Sequence, residues 1–307
     1  MSGSLSFSKF YKAFSEARDH TSEIVRVCIV GAGPELARVV RALSAGADDE
    51  HGVSSALDAL PPADFPSDTG LARRWDIVVI VAAGCPASDA APVVRAVHAA
   101  DCHVVALVEE EDGGAWTRDA GVFDDEIARG IGGDHNGTPS LEKKIVHAAG
   151  DKAALLAAEL PALRRAYCDH VVLVNATQNA VIGAVVIIPG ADMPAMTANQ
   201  IRMILKISAA YGEDVGLDRA LEILSVVGSA FVFRALARQA LDFVPGFGWA
   251  LKGTVGFTAT VALGEAAIAY FEAGAPLRVS RMQRINRQLD RARSRLPGFL
   301  QRGITEE

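Results

Sequence analysis

The sequence predicts an α/β domain built on a mainly parallel sheet, followed by an all-α domain. Strongly apolar runs alternate in the first half with helical patterns of about a dozen residues, which is the order of right-handed β-α-β units. From residue 139 onward, only helical patterns follow. The length of 307 residues is also sufficient for two domains.

The apolar runs of the first half predict strands that are buried on both faces of a sheet. These strands are expected at residues 24–31, 75–84 and 102–112. Helices are expected after the first two strands, at residues 34–44 and 88–100. The stretch 46–74 is rich in Gly, Asp, Pro and Ser, so we predict irregular structure there.

The second half begins at a helix-start signal, because Thr138 is a capping residue and Pro139 has a pre-set φ. The predicted helices cover residues 151–168, 169–188, 194–211, 217–241, 246–273 and 277–296. The predicted organisation is an amphipathic helix at 1–22, an α/β domain at 23–138, a helical domain at 139–276 and a basic amphipathic tail at 277–307.

Three segments of the helical half are unusually apolar, at 171–190, 221–233 and 245–271. A membrane-crossing helix needs about 20 mostly apolar residues, and these segments contain a few polar or charged ones. A buried helical core and membrane insertion therefore both remain open. Small residues at four-residue steps allow close helix packing in either setting; they are Gly248, Gly256, Thr260 and Gly264.

Charge is distributed unevenly along the chain. The net charge is −7, which disfavours a nucleic-acid partner. Residues 278–302 carry eight Arg and one Asp, a sum of +7, so the remainder carries −14. Within the tail, arginines at three- and four-residue steps flank an apolar stripe, which predicts contact with an anionic membrane or partner, or docking on the acidic body. These arginines are Arg278, Arg281, Arg284, Arg287, Arg291 and Arg295.

The first strand runs into a glycine-containing turn that resembles a phosphate-binding loop but lacks its chemistry. A Walker A loop is G-x-x-x-x-G-K-[ST], in which Lys neutralises phosphate and the hydroxyl binds Mg²⁺. Counted from Gly31, the second glycine is replaced by Leu36, the lysine by Ala37 and the hydroxyl residue by Arg38. We therefore do not expect this turn to support nucleotide hydrolysis.

The start of the following helix opposes phosphate as well. Pro34 has no N–H to donate, and Glu35 places a carboxylate where the helix dipole would attract an anion. Arg38 lies three residues after Glu35 and is interpreted as its ion-pair partner. A dinucleotide motif, G-x-G-x-x-G, is matched only at Gly31 and Gly33, so a dinucleotide remains a weaker alternative.

No catalytic residue and no metal site are predicted. The acidic run 109–112 ends a predicted strand and is interpreted as a solvated turn, with a divalent-cation contact as the alternative. The four cysteines are scattered, as expected for reduced thiols in a cytosol.

The helical half resembles a bacterial family of helical domains, domain of unknown function 697. The resemblance covers about residues 140–275 and rests on three segments in order, "IIPGADMPAMTANQIRMILKISAAYG", "FVPGFGWALKG" and "TATVALGEAAIAYFEAG". The family is commonly attached to small Era-like GTPase domains and is often associated with the inner membrane, so the resemblance implies both for this chain.

Compared with a GTPase domain, the first half has degenerate versions of the nucleotide-binding motifs. Residues 25–43 fall where the first strand, phosphate loop and first helix would be, and 74–84 where the metal-binding strand would run into an apolar strand. Residues 102–112 lead into the guanine motif Asn-Lys-x-Asp, of which only Asp112 survives. A nucleotide on this scaffold would be contacted by Gly31, Gly33, Arg38 and Asp112.

We therefore expect a non-catalytic, GTPase-like scaffold or interaction protein at the cytoplasmic face of the inner membrane, or in the cytoplasm. We expect a membrane and a protein partner, no nucleic-acid partner and no cofactor, including GTP or GDP; a homo-oligomer remains open. The alternatives are a nucleotide- or dinucleotide-binding enzyme or sensor that uses the Gly31–Gly33 turn, and a soluble helical scaffold.

Overall fold

A computed structural model describes residues 25–47, 56–109, 114–135, 137–185, 193–213, 220, 223 and 248–274. The predicted helix at 1–22 and the basic tail lie outside these residues. The first half contains a five-stranded sheet with the order β2-β1-β3-β4-β5, and every strand pair is parallel. The strands are β1 Val27–Val30, β2 Leu57–Leu60, β3 Ile77–Val81, β4 His103–Leu107 and β5 Ile127–Ala128.

The central strands are buried on both faces, as their continuous apolar runs predict. Val27 and Ile29 of β1 face one core, whereas Cys28 and Val30 face the other. Because side chains alternate along a strand, each run must be apolar at every position to serve both cores.

The helices of the first half are α1 Gly33–Leu43, α2 Thr69–Ala72, α3 Ala87–Ala99 and α4 Gly114–Ala120. Residues of α3 pack with Cys28 and Val30 on one side of the sheet, and residues of α1 pack with Val27 and Ile29 on the other. The α/β class is therefore confirmed.

The prediction of irregular structure over 46–74 is wrong in part. This stretch contains β2, a 3₁₀ turn at Pro62–Asp64 and α2. The edge strand β2 is short and includes Asp58, which accepts hydrogen bonds from the indole Nε1 of Trp75 at 2.6 Å and from Arg26 Nη2 at 3.1 Å. Its stability therefore depends on side-chain bonds as well as on the ladder with β1.

The described elements after residue 139 are helical, as predicted. They are α5 Leu141–Ala149, α6 Ala153–Glu159, α7 Arg164–Val185, α8 Met193–Ala210 and α9 Gly248–Glu272. The predicted helix 151–168 is interrupted by a 3₁₀ turn at Pro161–Leu163, because Pro161 cannot continue the preceding helix. α7 then continues without a break through residue 169, where a boundary was predicted.

The sheet and the helices share one continuous hydrophobic core. α5 contacts β3, β4 and β5, and the turn at Pro161–Leu163 contacts α1. The cluster that begins at Val27 and Ile29 continues through Leu163, directly before α7, to Phe271 near the end of α9. The main contacts of α7 are with the other helices and with the turn at Pro161–Leu163.

Candidate functional site

The strand order places a topological switch point between β1 and β3. In open parallel sheets of this kind, ligands bind in the crevice outside the carboxyl ends of the strands at that point. Gly31 follows β1, and Gly84 follows β3. The turn singled out from the sequence therefore lies at the position where this fold would hold a ligand.

Packing accounts for the glycines of this crevice. A Cβ on Gly31 would lie 3.1 Å from the Cβ of Val81. Gly84 has a φ of +76°, and a Cβ there would lie 3.5 Å from the carbonyl oxygen of Ala32. Glycine is therefore favoured at position 31 by the closeness of β3, and at position 84 by the positive φ.

The start of α1 has the features predicted to disfavour phosphate. The N-cap residue Ala32 offers no side-chain cap, Gly33 has a φ of +63°, and Pro34 and Glu35 occupy the first turn. One backbone donor is thus missing, and a carboxylate lies beside the remaining ones.

Arg38 bridges two carboxylates across the crevice. Its Nε donates to Glu35 Oε2 at 2.7 Å, and its Nη2 donates to Glu109 Oε2 at 2.5 Å. These bonds, chiefly the one to Glu35, raise the pKa of the Arg38 guanidinium. The predicted pair with Glu35 is confirmed. The pair with Glu109 joins α1 to the residues after β4 and was not predicted.

Asp112 and the six tail arginines lie outside the described residues. Within the described ranges, no group of three or more His, Cys, Asp or Glu side chains is placed to hold a metal ion.

The helical half contains a second feature, a long stretch without charged side chains that ends at Lys252 in the first turns of α9. α7 and α9 pack side by side, and Arg165 near the start of α7 pairs with Glu265 at 3.0 Å. Beyond this pair the helices carry no Asp, Glu, Lys or Arg over residues 171–185 of α7, 193–201 of α8 and 253–264 of α9. We call these three segments the distal half.

The distal half exposes large apolar side chains. Along α7 they lie on the outer surface, with exposed fractions of 56% for Leu173, 37% for Val174, 56% for Val181 and 70% for Val185. Over about 22 Å of helix, at 1.5 Å per residue, this surface has no charged neighbour on α7 itself. Thr177 and Gln178, which are exposed between Val174 and Val181, are polar but uncharged. Exposed apolar side chains grouped in this way are typical of surfaces that contact a membrane or a partner.

Inside the distal half, amide and hydroxyl groups join the three helices. Asn179 Nδ2 of α7 donates to Thr260 Oγ1 of α9 at 2.8 Å. Asn199 Nδ2 of α8 donates to Asn179 Oδ1 at 2.9 Å and to the carbonyl of Asn175 at 3.0 Å. All four side chains are buried. The polar residues in the middle of the apolar segment 171–190 are thus explained in part by bonds between helices.

Close helix packing accompanies these bonds. A Cβ on Gly256 would lie 2.9 Å from the carbonyl oxygen of Asn179, and one on Gly264 would lie 2.4 Å from Val172 Cγ2. Both glycines belong to the predicted small-residue series. One helix of the described ranges, at Gly253–Glu272, has the length and composition to cross a membrane, a property that buried core helices share.

Comparison with known proteins bears on the helical half. Residues 147–295 match the family model described as Domain of unknown function (DUF697). The chain therefore carries a domain of this family, as the resemblance predicted. No curated protein matched the chain. The match begins after the sheet, so the GTPase resemblance of the first half remains a prediction.

Proposed function

We propose that this chain, whose helical half is a domain of the DUF697 family, is a non-catalytic interaction protein. We propose further that it is bound to a membrane through the distal half. The α/β half, with a GTPase-like arrangement of degenerate motifs, remains in water and presents the surface for a protein partner. The observation that carries the proposal is the uncharged distal half with its exposed apolar side chains.

The distribution of charge along the helices supports a membrane, rather than water, as the environment of the distal half. Ion pairs of Arg165 with Asp169 and Glu265 lie near the start of α7, at 2.9 Å and 3.0 Å. Placing charged side chains in the hydrocarbon costs a few kcal/mol each, whereas the distal segments contain none. A surface exposed only to water has no such reason to exclude charge over three helices.

The interior of the distal half is consistent with this environment. Helices in lipid associate through small residues at close contacts and through hydrogen bonds between polar side chains. Gly256 and Gly264 provide the contacts, and Asn179 with Thr260 provides one bond. Soluble helical cores also use such contacts, so they support the proposal without deciding it.

The contacts of the crevice support a non-catalytic α/β half. Arg38, the first cation after the turn along the chain, is bound to Glu35 and Glu109. A triphosphate at the start of α1 would meet these carboxylates without a lysine to compensate, and its electrostatic interaction with the site would be unfavourable.

We place the α/β half on the cytoplasmic side. All four cysteines are free thiols, which suits a reducing compartment. The arginine-rich tail also favours this side, because positively charged segments near membrane helices are retained in the cytoplasm.

Vesicle flotation tests the membrane claim. Full-length protein is reconstituted from detergent, mixed with vesicles and centrifuged through a density gradient. We expect Val181→Asp with Val185→Asp to move the protein to the bottom fraction. The control is Leu71→Asp with Phe123→Asp, which changes two exposed apolar side chains of the α/β half and leaves flotation unchanged. A wild-type protein that stays at the bottom would support the soluble scaffold.

Calorimetric titration with GTP, GDP, NAD and NADP, each with Mg²⁺, tests the non-catalytic claim. We expect no binding in the micromolar range. Micromolar binding that is lost on Gly33→Ala would establish the alternative, an enzyme or sensor that uses the Gly31–Gly33 turn.

A further inference from the structure

A group of basic side chains lies next to the distal half, on the side nearer the sheet. Its members are His147 at the end of α5, His170 in the first half of α7, and Arg202 and Lys206 on α8. The two histidines are exposed, and Arg202 and Lys206 are half-buried. The proposed function does not use this group, which we call the basic cluster.

The helical positions connect the basic cluster to the apolar surface. On α7, His170 is one turn before Val174, and the steps to Val181 and Val185 continue the same outer stripe. On α8, Arg202 and Lys206 are four residues apart and share one face. At the boundary of the distal half, α8 therefore carries Arg202 and Lys206, and α7 carries His170 next to Asp169.

The bond of Asn199 on α8 to the carbonyl of Asn175 on α7 fixes the register of the two helices and brings Lys206 to the level of His170. Burial lowers the pKa of Lys206, and the positive charge of Arg202 lowers it further; Asp151 acts in the opposite direction. Burial also lowers the pKa of His170, with further contributions from His147 and Lys206. The neighbouring acid Asp169 is paired with Arg165 at 2.9 Å. Arg202 and Lys206 are the cations of the basic cluster, and Asp151 is the acid that acts on Lys206.

We propose that the basic cluster binds the phosphate of an anionic phospholipid headgroup at the level where the distal half enters the membrane. This inference rests on the proposed function. Arg and Lys donate charge-assisted hydrogen bonds to phosphate, and the histidines add ring donors. Like charges four residues apart on a helix repel each other, and a bound phosphate would convert that repulsion into attraction.

The level of the basic cluster identifies lipid as the source of the phosphate. Apolar side chains of the same α7 stripe follow His170 toward the distal end, so a lipid whose chains contact Val174 and Val181 has its headgroup beside His170. Headgroups lie at the border of the hydrocarbon, where basic residues strengthen binding to anionic leaflets.

Flotation with two kinds of vesicle tests this inference. One kind contains phosphatidylcholine alone, and the other also contains phosphatidylglycerol. We expect Arg202→Gln with Lys206→Gln to weaken binding to the anionic vesicles about 30-fold. Binding to phosphatidylcholine is expected to stay unchanged, because its choline ammonium offsets the charge of the phosphate and the apolar surface is intact. The basic tail is present in every variant and does not contribute to the difference.

Two further variants separate a headgroup site from general charge effects. Arg95→Gln with Arg118→Gln removes the same charge from exposed positions of α3 and α4 and is expected to change binding less than about twofold. Arg202→Lys with Lys206→Arg keeps both charges and is expected to retain binding to the anionic vesicles. This variant therefore tests the site even if the glutamine variant folds poorly.

Equal binding of wild type and the glutamine variant to anionic vesicles would overturn the headgroup site while leaving the proposed function intact. Equal losses in the two glutamine pairs would also overturn it, since any surface charge would then serve. A wild-type protein that binds neither kind of vesicle would refute both the site and the proposed function.

Discussion

Gly264→Ala tests whether α7 and α9 pack as closely as the structure indicates. An added Cβ would lie 2.4 Å and 2.8 Å from the two methyl carbons of Val172 and 3.2 Å from its Cβ. Val172 is β-branched, so a χ1 rotation exchanges one methyl group for another without clearing the space. The helices must therefore separate.

Two opposing effects determine the magnitude. Replacing Gly by Ala inside a helix stabilises it by about 0.8–1 kcal/mol. Inserting a methyl group into a well-packed core costs about 1–3 kcal/mol, and the double contact with Val172 places this site at the upper end. We expect a net loss of about 1–2 kcal/mol in the free energy of unfolding.

Urea unfolding followed by circular dichroism, in one detergent for all variants, measures this loss. Val172→Ala creates the required space, so the double variant is expected to recover part of the loss in a double-mutant cycle. The control is Gly114→Ala, where an added Cβ meets nothing within 4 Å. A Gly264→Ala protein as stable as wild type or more stable, with no coupling to Val172, would refute the close packing.

Three other predictions concern single contacts. Thr260→Val leaves the buried Asn179 amide without its acceptor and is expected to cost about 1–3 kcal/mol on urea unfolding; Thr260→Ser retains the hydroxyl, and an equal loss in both would contradict the bond. Asp58→Ala removes the acceptor of the buried Trp75 indole and is expected to cost about 1–3 kcal/mol, whereas Asp58→Asn keeps an acceptor; identical losses would show that the indole bond contributes nothing. Burial raises the pKa of Cys28 and Cys168 to about 12 and that of Cys85 to about 11. Alkylation at pH 8, followed by mass spectrometry, is therefore expected to modify the half-exposed Cys102 first. The modification is expected to become faster as the pH rises, because only thiolates react. Early labelling of Cys28 would contradict its burial.

The elements predicted correctly are those whose local sequence determines their environment. The central strands β1 and β3 face two cores, so each is apolar at every position. The edge strand β2 has one neighbour and contains Asp58, so its sequence resembles a polar loop. β5 has two residues and shows no pattern.

The candidate sites follow the same division between local and distant contacts. Arg38 and Glu35 are three residues apart in the sequence, so their bond was predicted from helical spacing. The bond of Arg38 to Glu109 spans 71 residues and requires the sheet order. Similarly, the apolar segments are visible in the sequence, but their alignment in the distal half depends on the packing of three helices.

The most direct test of the membrane claim measures the environment of the distal half itself. An environment-sensitive fluorophore is attached at Val181→Cys, or for comparison at Arg118→Cys on the α/β half, with the four natural cysteines replaced. We predict that added vesicles shift the emission of the Val181 label to shorter wavelength and protect it from an aqueous quencher, while the Arg118 label is unaffected. A Val181 label that remains as accessible to the quencher as the Arg118 label would contradict the account.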